Sequence, residues 1–192
     1  MPRLIVGLVG CAGSGKSTVA QHLVHRLGFT QLSFASSLKD CAAAIFGWSR
    51  ADLEGESEAA RLWREAVDPW WSARLGIPYL TPRWVLRHLG TEVMRHNFHE
   101  EVWIASLQRR MHVVDTPIVV SDLRFPNEVQ AILDVGGVVI RIERPGWEAS
   151  GHITETALAD CVADDVLVNS GSVKDLRLLV DKSIEGLCAN RT

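Results

Sequence analysis

This 192-residue chain has no apolar run approaching the length needed to cross a bilayer. It has no internal repeat and no low-complexity segment, which excludes solenoid and fibrous architectures. It has no excess of positive charge: 20 Lys and Arg face 23 Asp and Glu, for a net charge of −3. A surface that grips nucleic acid through its phosphates is normally basic, so that class of partner is disfavoured. A small anionic ligand needs only a local positive cleft. Cysteine is sparse, and Cys11, Cys41, Cys161 and Cys188 stand too far apart for a metal-ligand spacing. Scattered single cysteines fit a reduced, cytoplasmic setting. Met1-Pro2-Arg3 runs directly into a strand-like segment, which leaves no room for a signal peptide. The length suits one domain with a substantial core.

What is present begins at Gly10-Cys11-Ala12-Gly13-Ser14-Gly15-Lys16-Ser17. This segment fits the phosphate-binding loop pattern at every fixed position. Leu4 to Val9 before it is an apolar run of strand length, and Thr18 to Leu27 after it is an amphipathic helix. Strand, glycine-rich loop and helix in that order make a phosphate cradle. Successive N–H groups converge on anionic oxygens, and the helix N-terminus adds partial positive charge. Gly13, Ser14, Gly15, Lys16, Ser17 and Thr18 are the candidate contacts. Lys16 can reach the β- and γ-phosphates of a nucleoside triphosphate, and the Ser17 hydroxyl can hold Mg²⁺.

Four more strands follow the pattern: Phe29 to Phe34, Pro117 to Ser121, Val138 to Ile142 and Asp165 to Asn169. Helices are expected from Leu38 to Phe46 with Ser36 as cap, and from Trp84 to Phe98 with Thr81 as cap and Pro82 in the first turn. Others are expected over about Glu100 to Met111, Asn127 to Leu133 and Ser172 to Leu187. Residues 49 to 67 are charged and read as partly helical, and Asp68 to Tyr79 reads as loop. Strands alternating with helices predict an α/β fold, with a five-stranded parallel sheet flanked by helices. The predicted organisation is a single domain with a core of 1–35 and 116–192. A helical insertion of about 36–115 and a short lid at about 144–155 complete it.

Val119-Val120-Ser121-Asp122 delivers a carboxylate at the carboxyl end of a strand, where open α/β sheets hold their ligands. Asp122 either orients Mg²⁺ with the loop hydroxyl or caps the next turn. Arg124 either faces phosphate from the same edge or pairs with Glu128 at the surface. Arg83, Arg87, Thr91 and Arg95 recur every fourth residue and form one stripe on a helix. Val85, Leu86, Leu89 and Val93 would then face a core. Three arginines on one stripe suit phosphate recognition, or a solvated face answered by Glu92 and other acids. Arg144-Pro145-Gly146 follows a strand and can set an arginine over transferring phosphates, while Arg141 fits the outward face of that strand. His96 and His99 lack a third ligand for zinc. There is no N-K-x-D, H-R-D or D-F-G, so neither a base-reading GTPase nor a protein kinase is indicated.

Together these segments resemble the deoxynucleoside monophosphate kinases of tailed bacteriophages, within the P-loop nucleoside monophosphate kinase superfamily. The resembling pieces are Gly10 to Thr18, Ser33 to Lys39, Leu86 to Glu92 with Arg95, Ser121 to Glu128, and His152-Ile153-Thr154-Glu155. Ser36-Ser37 stands where the family usually has Asp-Pro, and Arg87 where it often has Gln. The segment Asp165 to Gly171 is also similar to dephospho-coenzyme A kinases, which share the fold, and places Asn169 near the adenine.

The resemblance implies transfer of the ATP γ-phosphate to a deoxynucleoside monophosphate. Lys39, Arg83, Arg87, Arg95 and Arg124 would hold the acceptor. Lys16 and Arg144 would neutralise the moving group, and Ser17 with Asp122 would hold Mg²⁺. It implies a cytoplasmic enzyme (the host's cytoplasm, for a phage-encoded chain) with no nucleic-acid or membrane partner, and it allows a homodimer. The competing readings are a dephospho-coenzyme A kinase-like enzyme and a nucleotide-switched binding protein. The arginine-rich acceptor region argues against the switch.

Overall fold

The five apolar segments read as strands form one parallel sheet. The computed structural model describes residues 3–146, 158 and 161–189. In it the strands are β1 (Ile5–Val9), β2 (Thr30–Leu32), β3 (Ile118–Val120), β4 (Val138–Glu143) and β5 (Asp165–Val168). Their order across the sheet is β2-β3-β1-β4-β5. Val6 lies opposite Val119 of β3, and Leu8 lies opposite Ile140 of β4. The chain thus turns to one side of β1 for β2 and β3 and to the other for β4 and β5. Beyond the carboxyl end of β1 lies the switch point where such sheets bind ligands.

The chain divides into two compact units, Met1–Ser33 with Leu107–Thr192, and Phe34–Ser106. The first holds the sheet. Among the described residues it carries helices α1 (Lys16–Leu27), α8 (Pro126–Asp134) and α9 (Val173–Ala189). Alternate residues of the strands face opposite ways. Val6, Leu8, Val119, Ile140 and Ile142 therefore pack with Val19 and Leu23 of α1 and Val180 and Ile184 of α9. Leu23 is fully buried, and one such side chain contributes roughly 1.5–3 kcal/mol. On the other face a Cβ at Gly7 would stand 3.0 Å from Leu123 and 3.4 Å from Ile132 of α8, so that face is closely packed too. His22 and Asp181 join α1 to α9 at 2.7 Å.

The second unit is helical. It contains α2 (Ser36–Phe46), α3 (Arg50–Glu54), α4 (Glu58–Glu65), α5 (Pro69–Leu75), α6 (Pro82–Arg87) and a π-helical segment, His88–His96. Helix α7 (Val102–Met111) carries the chain onward, with Trp103, Ile104, Leu107 and Met111 buried as their spacing predicts. Asp68 to Tyr79 is not simply loop. Asp68 accepts from the Trp71 N–H at 3.0 Å, Pro69 opens the first turn, and Gly76 closes α5. Ser36 does not cap α2 but is its first residue, because Ala35 already has helical dihedrals. The aromatic side chains find one another: Phe46 stacks on Trp48, and Trp71 meets Phe46 edge-on while donating its indole N–H to the Phe46 carbonyl.

The predicted helix over Trp84 to Phe98 changes register part-way. Its first turn is capped by Thr81, whose Oγ1 accepts from the Trp84 N–H at 3.0 Å. From His88 the bonds run five residues back, as in Asn97 N–H to Glu92 carbonyl at 3.2 Å. The wider turn rotates the later side chains. Val93, expected in the core, is 39% exposed, and Arg95 is buried at 8%. Among the described residues no helix is long and apolar enough to cross a membrane, and all four cysteines are free.

Candidate active site

The loop after β1 closes on itself only because of its glycines. Gly10 has φ 146° and Gly15 has φ 116°, in the region that L side chains rarely adopt. Space forbids a side chain as well. A Cβ on Gly10 would collide with the Ile142 carbonyl, and one on Gly15 would stand 2.8 Å from Asn169 Nδ2. Lys16 then starts α1, with Gly15 at the N-cap position.

Side chains hold the loop's carbonyls. Lys16 Nζ donates to the Gly10 carbonyl at 2.5 Å and to the Cys11 carbonyl at 2.8 Å. Arg144 Nη1 donates to the Gly13 carbonyl at 3.2 Å. Asn169 Nδ2 donates to the Ser14 carbonyl at 2.8 Å. In a trans peptide the carbonyl and the following N–H point opposite ways. Fixing these carbonyls therefore aims the Cys11, Ala12 and Gly15 N–H groups away from those donors, as an anion cradle requires. The Ser14 hydroxyl is buried in the same loop with no hydrogen-bond partner among the described residues.

Asp122 lies two residues beyond β3 and is half-buried. Ser33 Oγ, just beyond the neighbouring strand β2, donates to its carboxylate at 2.7 Å. The contact spans 89 residues, so no local sequence pattern marks Ser33. Gln31 Nε2 bonds Ser121 Oγ at 2.9 Å along the same edge. Arg124 is exposed. The Glu128 carboxylate, 3% exposed, accepts the backbone N–H groups of Arg124 at 2.7 Å and Phe125 at 3.2 Å. Glu128 thereby fastens the start of α8, as the acid of a capping box does.

In the helical unit Lys39 pairs with Glu54, which also takes Arg50. Burial pushes the Glu54 carboxyl up, but hydrogen bonds from Lys39 and Arg50 outweigh it and hold the group below its ordinary value. Arg83 pairs with Glu65 of α4 at 3.2 Å, both well exposed. Arg87 is exposed, Thr91 is half-buried and Arg95 is buried. The stripe is therefore split: its first two arginines face solvent and its last lies inside. Glu92, expected to answer the stripe, lies 3.3 Å from His96 instead. His152, Thr154, Glu155 and most of the expected lid lie outside the described residues.

Residues 78–180 match the family model for deoxynucleotide monophosphate kinase. The chain belongs to that family. It is 32% identical over 188 residues to a putative deoxynucleotide monophosphate kinase of Acanthamoeba polyphaga mimivirus, covering 90% of this chain and 91% of the relative. It is 23% identical to the deoxynucleoside-5'-monophosphate kinase of Escherichia phage T5, covering 92% and 94%. The kinase also resembles two solved structures in fold. One is TT1252 from Thermus thermophilus, with a TM-score of 0.51 and 22% identity over 99% of this chain and 98% of that one. The other is the dephospho-CoA kinase of Campylobacter jejuni, at 0.50 and 18% over 98% of each chain. The dephospho-CoA kinase likeness concerns fold alone. The family membership favours a nucleotide monophosphate kinase over that alternative and over a nucleotide switch. This kinase is a phosphotransferase with an α/β architecture of the P-loop type.

Proposed function

We propose that this kinase transfers the γ-phosphate of ATP to a deoxynucleoside monophosphate, yielding ADP and the deoxynucleoside diphosphate. The observation that carries the donor half is the loop whose Gly10, Cys11, Gly13 and Ser14 carbonyls are held by Lys16, Arg144 and Asn169. That arrangement gathers backbone amides and two cationic side chains at the loop a polyphosphate would occupy. Phosphoryl transfer relies on alignment and on neutralising charge over the moving oxygens, with little covalent help. Lys16 and Arg144 serve that neutralisation. Their bonds to loop carbonyls are exchangeable for stronger charge-assisted bonds to phosphate.

Ser17 and the Ser33-braced Asp122 offer only hard oxygen donors, a set suited to Mg²⁺ alongside waters and substrate phosphates. A Mg²⁺ ion held by Ser17 and Asp122 would supply positive charge that offsets the charge of the transferring phosphates. The Ser33 bond keeps the Asp122 carboxylate in one orientation at the strand end. Asn169 acts on the donor side by fastening the loop.

For the acceptor, Lys39, Arg83, Arg87, Arg95 and Arg124 supply cations that match a monophosphate. Arg95 is the buried member of this set, so water competes little for its guanidinium. Lys39 and Arg83 hold Glu54 and Glu65 in this structure and would exchange those partners for substrate. We assign the reaction to the cytoplasm, in keeping with four free cysteines.

The test is ADP release with each deoxynucleoside monophosphate in turn, against an ATP-only baseline. Stimulation by at least one supports the assignment. Turnover at baseline with all of them rejects it.

A further inference from the structure

A helix bonded five residues back is rare, and it is often found at functional positions. Here nine residues adopt it, His88–His96. Several facts meet at its middle. Gly90 is buried, and a Cβ there would stand 2.8 Å from Leu38 Cδ2 of α2. The Trp103 indole N–H donates to the Gly90 carbonyl at 2.9 Å, and Trp103 is 7% exposed. The five-residue register matches that same carbonyl with the backbone N–H of Arg95. All four residues belong to the Phe34–Ser106 unit.

The indole N–H is a donor only, and burying it without a partner would cost free energy. Its partner is a helix carbonyl, whose second lone pair can serve Arg95. The ordinary helical register would give the Gly90 carbonyl to Met94 instead and turn Arg95 to a different face. Whatever holds the Gly90 carbonyl in the longer register therefore decides where Arg95 points. Gly90 lacks a side chain, which lets α2 approach through Leu38 and close the other side of this turn.

We infer that Trp103 is a positioning residue for Arg95. Its indole N–H holds the Gly90 carbonyl in the π register and so fixes the direction in which Arg95 offers its guanidinium to the acceptor phosphate. This rests on the reading of Arg95 as an acceptor ligand. Trp103 itself touches no substrate and acts through the helix.

The experiment replaces Trp103 in two ways. Trp103→Phe keeps an aromatic ring and removes the donor. Incorporating 3-benzothienylalanine at position 103 keeps the bicyclic shape, with sulfur in place of N–H, and decides the matter if the Phe variant folds poorly. KM values for the deoxynucleoside monophosphate and for ATP are measured separately. Arg95→Ala and the double variant Arg95→Ala/Trp103→Phe are measured in parallel. Loss of one buried hydrogen bond should raise the acceptor KM about 5- to 20-fold. The ATP KM should stay near that of the unsubstituted kinase. On the Arg95→Ala background the Trp103 change should add no further rise, because both act through one group.

An unchanged acceptor KM in the benzothienyl variant, equal rises in both KM values, or additive effects would each overturn the inference. If Arg95→Ala raises the acceptor KM and the Trp103 variants do not, only the positioning role fails. If Arg95→Ala itself has no effect, the acceptor reading fails and takes the positioning role with it.

Discussion

Asn169 Nδ2 lies 2.8 Å from the Ser14 carbonyl, so the end of β5 is fastened to the loop that follows β1. The Asn169 N–H in turn donates to the Glu143 carbonyl at 2.7 Å, which ties the same residue to the end of β4. Removing the amide in Asn169→Ala frees the Ser14 carbonyl and loosens the cradle. One such hydrogen bond is worth about 1 kcal/mol, so the KM for ATP should rise about fivefold. The KM for the acceptor should hold steady, and parallel initial-rate series in each substrate check this. Equal rises in both would speak for a general loss of structure.

The second fastening is between neighbouring strand ends. Ser33 Oγ holds the Asp122 carboxylate at 2.7 Å. Groups that orient a metal-binding carboxylate typically affect metal affinity 10- to 100-fold. Ser33→Ala should therefore raise the Mg²⁺ concentration needed for half-maximal rate by about tenfold, the low end of that range. Saturating Mg²⁺ should restore most of the rate. A Mg²⁺ titration that superimposes on that of the unsubstituted kinase would remove Ser33 and Asp122 from the metal account.

Lys16→Ala should lower the transfer rate by roughly 10²–10³, in line with loss of a preorganised charge at a reacting group. Lys16 is half-buried and bonds loop carbonyls, so the sheet core should remain intact. Circular dichroism and thermal melting compare the folds, and single-turnover kinetics measure the chemistry. A variant with full activity would refute the loop's role.

Much of the sheet was legible because a buried parallel strand is an apolar run, and Val119, Val139 and Ile140 carry no competing signal. The loop was legible because its glycines and Lys16 are contiguous. Helix α5 is hard to read although Asp68-Pro69 and Gly76 bracket it, because Trp70 and Trp71 side by side break the expected apolar spacing. The π register of His88–His96 was not legible. The spacing of Leu86, Leu89 and Val93 suits an ordinary helix, and the bond that accompanies the change comes from Trp103, outside the segment. Ser33 and Asp122 meet only because β2 pairs with β3, and Asn169 meets Ser14 across 155 positions. Such contacts follow from strand order, which local patterns do not specify.

Acid should loosen the helical unit at one identifiable place. The Glu54 carboxyl is held below its ordinary value of 4.5 by Lys39 and Arg50, against the opposing push of burial. A carboxyl with a depressed native pKa stabilises the fold above its unfolded value, and that stability is lost as pH falls through the native one. Glu54→Gln should therefore lower the urea midpoint at neutral pH, with the difference shrinking below pH 4.5. The effect should be modest, since Glu54 is about one-third exposed. Midpoints that differ by the same amount at pH 7 and pH 3 would show that the pairing is not its source.

The fate of the transferred phosphate tests the central claim most directly. Incubating the kinase with γ-labelled ATP, Mg²⁺ and each deoxynucleoside monophosphate should place label in the diphosphate of at least one nucleotide, in step with ADP formed. Label appearing only as inorganic phosphate with all four would contradict the account and leave the loop of Gly10 to Thr18 as the site of a hydrolase or a switch.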